Sequence, residues 1–158
     1  MKIRIPSAIL IAVSFIACTS NSTDSKSRSS EPKDSLVATT AGGNGQRCFM
    51  KQEAGDTFRL KANIANAQVN GELSYHFREK DSNSGTIVGT MIGDTLIADY
   101  TFQSEGQTSI RQVAFLLSPE AATEGYGDLE EKDGKLVFKN RSGITFEKGL
   151  MLKKSICP

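Results

Sequence analysis

The stretch "GTMIGDTLIADYTFQSEGQTSIRQVAFLL", residues 89–117, decides the fold. Its apolar side chains recur at every second position, the period of a strand with one buried and one wet face. With Gly93 and Asp94 as a two-residue turn, Met91 falls opposite Leu96, Gly89 opposite Ala98 and Ile87 opposite Tyr100. A second turn at Glu105 and Gly106 sets Phe102 opposite Ser109, Tyr100 opposite Arg111, Ala98 opposite Val113 and Leu96 opposite Phe115. Both hairpins agree on one inner face, and a slip of one residue would turn that whole face to water.

The same pattern extends in both directions. Upstream, "TFRLKANI" (57–64) and "GELSYHF" (71–77) alternate in the same way. A turn at Ala65 and Asn66 pairs Ile64 with Ala67, Leu60 with Gly71 and Phe58 with Leu73. Downstream, a turn at Asp133 and Gly134 pairs Leu129 with Phe138, and "SGITFEKGLMLKKSIC" (142–157) supplies a last pair around Lys148 and Gly149. The expected fold is all-β: about eight antiparallel strands in an up-and-down meander, with one helical turn near residues 119–122. Closure into a small barrel removes the exposed edges that an open meander would leave. A β-sandwich is the alternative. In "GTIVGTMIG" (85–93), Gly85, Gly89 and Gly93 share one face of a strand, where they relieve crowding or let the sheet bend.

Nineteen basic and eighteen acidic side chains leave a net charge of +1, which provides no field to attract nucleic acid. Lys2 and Arg4 precede an apolar run at residues 7–17 that is too short to span about 30 Å of hydrocarbon as a helix but suits a signal peptide. The run ends on Phe15, Ile16, Ala17 and Cys18, and polar residues follow at once. This ending resembles the lipobox of bacterial lipoproteins. The resemblance implies cleavage after Ala17, lipid on Cys18 and anchoring in the cell envelope. Thr19, where an aspartate would favour inner-membrane retention, favours the outer membrane.

The layout expected is a signal peptide at 1–17, a lipidated cysteine and flexible linker at 18–45, and a β-barrel domain at 46–158. The linker is rich in Ser, Thr, Asn, Lys, Asp and Gly and buries too little to offset the entropy of ordering. At roughly 5–6 Å times the square root of its length it would hold the domain on the order of 25–30 Å from the bilayer. Of the three cysteines, Cys48 and Cys157 bracket the folded region, and in an exported chain they read as a disulfide joining first strand to last.

The catalytic inventory is thin. His76 is the one histidine and lies on the wet face, which excludes a multi-histidine metal site or a histidine-based triad within one chain. "DSNSGT" (81–86) starts like a calcium loop but lacks the downstream glutamate, so it reads as a hairpin loop. Asp128, Glu130 and Glu131 read as a solvated strand face. We therefore expect a non-enzyme without cofactor or metal.

Arg111 departs from the pattern, because the register puts it on the inner face beside Tyr100, where an unpaired guanidinium is costly. Two answers are open. An internal carboxylate such as Glu124 could meet it, with Tyr100 and Tyr75 completing a network; or Arg111, Tyr100 and Tyr75 could hold the polar end of a small ligand. The stretch quoted first, with the flanking cysteine pair, is also similar to small envelope lipoproteins of Bacteroidota-type bacteria. That similarity implies a lipid-anchored module and carries no activity. The functions expected are binding of a small apolar ligand or of an envelope protein partner, with inhibition of a hydrolase as the alternative.

Overall fold

The computed structural model describes residues 43–158 except 80, 81 and 105. The expected signal peptide, Cys18 and most of the linker lie outside the described residues. Ten strands follow one another: β1 (Gly45–Glu53), β2 (Asp56–Ala65), β3 (Gln68–His76), β4 (Asn83–Ile92), β5 (Thr95–Ser104), β6 (Gln107–Leu117), β7 (Ala121–Gly125), β8 (Leu129–Lys132), β9 (Lys135–Phe138) and β10 (Met151–Ser155). Eight of them close a barrel in the order β1-β2-β3-β4-β5-β6-β7-β10 and back to β1, every neighbour antiparallel. A closed antiparallel barrel is thus the fold, and the sandwich alternative falls away.

The decisive hairpins pair as the alternation dictates. Met91 faces Leu96 and Ile87 faces Tyr100, then Tyr100 faces Arg111 and Leu96 faces Phe115. Leu129 faces Phe138 as expected. Three expectations need correction. The β2–β3 turn is Asn66 and Ala67, one residue later than expected, so Ile64 pairs with Val69, Leu60 with Leu73 and Phe58 with Tyr75. Asn66 and Ala67 have φ values of 50° and 64°, a pair of left-handed residues that matches the strand twist, and asparagine tolerates that region better than most. The shift is two places across the ladder, which keeps every apolar side chain on the inner face.

Secondly, Lys148 and Gly149 do not make a hairpin. Residues 139–149 cross the barrel's outer wall through a short 3₁₀ turn at Arg141–Gly143, capped by Asn140, and β10 then enters between β7 and β1. Gly149 is required there, since a Cβ would lie 1.9 Å from the Glu124 carbonyl oxygen. Thirdly, residues 119–122 hold no helical turn. Ser118 and Ala121 close a tight turn instead, backbone to backbone at 2.8 Å, with the Ser118 hydroxyl also bonded to both backbone groups of Ala121.

The barrel interior is one apolar cluster. Phe49, Leu60, Leu73, Ile87, Leu96, Tyr100, Phe115, Leu117 and Leu152 are essentially inaccessible to solvent. Small residues let neighbouring strands approach one another closely. At Gly71, Gly85 and Gly89 an added Cβ would come within about 2 Å of a carbonyl oxygen on the neighbouring strand. The disulfide joins Cys48 to Cys157 across 109 residues of sequence. It reinforces a seam of only three β1–β10 pairs, Cys48 with Ser155, Phe49 with Lys154 and Met50 with Lys153. Closing so long a loop contributes up to about 4–5 kcal/mol in the chain-entropy model.

The β8–β9 hairpin stands outside the closed ring. Its Phe138, with Leu129, Ile144 and Phe146, covers Ile97 and Ala114 on the outer wall and makes a second small core. Lys135 pairs with Asp99 at 2.5 Å, and the Phe138 amide donates to the Gln112 side chain at 3.2 Å, so the hairpin is pinned at both ends.

Candidate functional site

One end of the barrel is distinct from the other in chemistry. There the alternation of β2, β3 and β5 lines up a run of rings: Phe77 on Phe58, Phe58 on Tyr75, Tyr75 on Tyr100 and Tyr100 on Phe102. The first three contacts are edge to face at 5.4–6.1 Å, and the last is stacked at 4.7 Å. Phe77 and Phe102 are half-buried and mark the mouth, while Tyr100 is fully buried below them.

Arg111 sits over this run. Its guanidinium carbon lies 5.5 Å from the Tyr75 ring centre, 5.6 Å from Phe102 and 5.8 Å from Tyr100, close enough for cation–π attraction to all three. The wall changes partner at this residue. Up to Ala114 and Gly125, β6 is paired to β7; at Arg111 it meets Leu136 of β9 instead. Arg111 is therefore inward-facing and half-buried at the point where the barrel wall parts.

Glu124 supplies the opposite charge, buried at 6% exposure on the inner face of β7. Its carboxylate accepts from the Tyr75 hydroxyl at 2.7 Å and from the Tyr126 hydroxyl at 3.1 Å. Hydrogen bonds to a charged group are worth roughly 1.5–3 kcal/mol, which offsets part of the cost of burying it. Among the described residues, Arg111 has no carboxylate at ion-pair distance. Its Nε, like the Tyr100 hydroxyl, is buried and unpartnered.

All three tyrosines of the chain belong to this cluster, and each resists ionisation. Burial raises Tyr75 far above the ordinary phenol range, and the Glu124 charge adds to it. Burial pushes Tyr100 up to about 12, partly opposed by Arg111. Tyr126 is also pushed up to about 12 by burial, then by Glu124.

The internal network expected at Arg111 is formed only in part. Glu124 joins Tyr75 as expected, but Tyr100 stays out of the hydrogen-bonded network and Arg111 makes no direct ion pair with Glu124. Sequence reading missed Tyr126, whose hydroxyl donates to Glu124 two residues away. That relation becomes visible once β7 is recognised as a strand rather than a loop. It also missed Arg47, inward on β1 opposite Ala62, whose Nη1 is likewise buried and unpartnered.

The remaining residues singled out from sequence lie elsewhere. His76 is exposed, 3.5 Å from the Ser84 hydroxyl, and Asp128, Glu130 and Glu131 are exposed. Among the described residues no group of three histidine, cysteine, aspartate or glutamate side chains is placed to hold a metal ion. A groove of about 720 Å³ runs along the outer wall beside the C-terminal tail, lined by Met50, Arg59, Lys61, Glu72, Ile156 and Pro158 among others. It does not include Arg111.

The fold and site define a small closed antiparallel barrel with an aromatic, charge-bearing mouth. Comparison with models of known families, with curated proteins and with solved structures returns no match in any of the three.

Proposed function

We propose that this protein is a non-enzymatic, lipid-anchored envelope module whose barrel mouth binds the anionic end of a small, largely apolar ligand. The carrying observation is Arg111. A half-buried guanidinium has its fixed charge spread over three rings, has no carboxylate within reach among the described residues, and keeps a buried Nε without a partner. Buried polar groups left without partners are rare and ask for an explanation, which a bound anionic group would supply here. The Tyr100 hydroxyl beside it is a second unused donor.

The packed interior supports a shallow mode of binding. The apolar body of the ligand lies against Phe77 and Phe102 at the rim rather than deep in the barrel, whose centre is filled by Tyr100, Ile87 and Phe115. Glu124, held by two tyrosines, orders the far side of the mouth and disfavours a second negative group. The anchoring part of the reading rests on Cys18 and the apolar run before it. The disulfide fits an exported chain.

Equilibrium binding of a fluorescent long-chain carboxylate tests this reading. Saturable binding is expected, weakened about tenfold or more by Arg111→Met, the loss of roughly one charge-assisted contact at 1.4 kcal/mol per decade. The matching alcohol should bind the parent protein as weakly as the acid binds the variant. Equal affinity for acid and alcohol would refute the role given to Arg111.

A further inference from the structure

A second site lies outside the barrel. Between the end of β7, the start of β8 and the 3₁₀ turn is a shallow cleft of about 540 Å³, lined by Tyr126, Gly127, Asp128, Lys139, Asn140, Gly143 and Thr145. We propose that this cleft is a saccharide-binding site.

The ring of Tyr126 is its platform. Half of that side chain is open, yet it is held rigidly: the hydroxyl is tied to Glu124, and the backbone exchanges two hydrogen bonds of 2.9 Å with Thr145. An exposed ring fixed at both ends loses little entropy when a sugar's C–H face packs on it. The polar groups around it are mixed in kind. Asp128 offers acceptors and Lys139 donors, and the two are held side by side because the Lys139 amide donates to the Asp128 carbonyl at 2.9 Å. Asn140 uses its oxygen to cap Ser142, which fixes the amide and leaves its nitrogen to donate.

One acid and one base, with an amide and a hydroxyl, suit a neutral ligand carrying donors and acceptors on adjacent atoms. A pyranose has that chemistry, with an apolar face opposite its hydroxyls, whereas a simple anion or cation would leave half of these groups unanswered. The volume is within the range of ordinary small-molecule sites.

Two glycines shape the cleft. At Gly127 a Cβ would press on Phe138 and Ile144 at 3.3–3.4 Å, so that position keeps the wall close. At Gly143 a Cβ would meet only the Asn140 amide nitrogen, at 3.9 Å. A bulky side chain placed at Gly143 therefore fills the cleft without straining the fold.

The test is nuclear magnetic resonance titration of the full chain with chitobiose, cellobiose and maltose. At least one of them should give saturable shifts concentrated at residues 126–128 and 139–145. Asp128→Ala and Gly143→Tyr should each weaken that binding about tenfold or more, and Tyr126→Ala, which removes the ring, should weaken it at least as far. Amide shifts of the barrel strands report that each variant is folded. Absence of saturable shifts with all three sugars, or binding unchanged in Asp128→Ala and Gly143→Tyr, would overturn the proposal. Arg111→Met should leave sugar binding intact, which separates this site from the barrel mouth.

Discussion

Tyr75, Tyr100 and Tyr126 report directly on the mouth, because the chain has no other tyrosine and no tryptophan. Their folded pKa values all lie above the ordinary phenol value of 10.0, two of them at about 12. Ultraviolet titration should therefore find almost no phenolate in the folded protein at pH 10, where the unfolded chain is half ionised. The sign for stability follows by linkage. The unfolded state loses protons first, so the stability these groups contribute is full below about pH 10 and falls as pH rises from about 10 towards 12. Denaturation curves across that window should show the decline, and Tyr126→Phe should reduce it. Phenolate appearing in the folded protein near pH 10 would mean that the tyrosines are not buried against Glu124.

At the level of elements, the strands that pair by simple alternation are those whose two faces differ most. Beyond the strand-end residues Asn83 and Gln107, every inner position of β4, β5 and β6 is apolar or small except Arg111, so the ladder could be written from the sequence residue by residue. The β2–β3 turn could not be placed to the residue, because a two-place shift leaves the same side chains inside and changes only which of them face each other. The last third was harder for a different reason. Ile97 and Ala114 sit on the outer face, and they are buried only because the β8–β9 hairpin folds over them, a long-range contact that alternation does not encode. Of the site, Arg111, Tyr100 and Tyr75 were legible from inner-face parity and Glu124 from the need for a carboxylate near Arg111, while Tyr126 depended on recognising β7. The glycines of β4 can be tested singly. Gly89→Ala would place a methyl 2.1 Å from the Ile97 carbonyl oxygen and 2.6 Å from the Ala98 Cβ, and should cost about 1–3 kcal/mol by overpacking, read from the denaturation midpoint. Gly143→Ala, whose methyl would meet only the Asn140 amide nitrogen at 3.9 Å, should be close to neutral.

For the whole molecule, closure of the eight-stranded ring and the covalent link between its first and last strands leave that ring without an exposed edge. Its proposed tethering is a separate property carried by the N-terminal segment. Cys18→Ser should move the protein from the membrane to the soluble fraction on cell fractionation; equal membrane retention would exclude lipid on that cysteine. The barrel itself should fold identically in both forms. The measurement that bears most directly on the mouth as a ligand site is a native mass spectrum of the protein recovered from its own host. We predict an additional small mass, lost on denaturation, and absent when Arg111→Met is recovered in the same way. No added mass that is lost on denaturation, or a bound mass unchanged by Arg111→Met, would contradict the account.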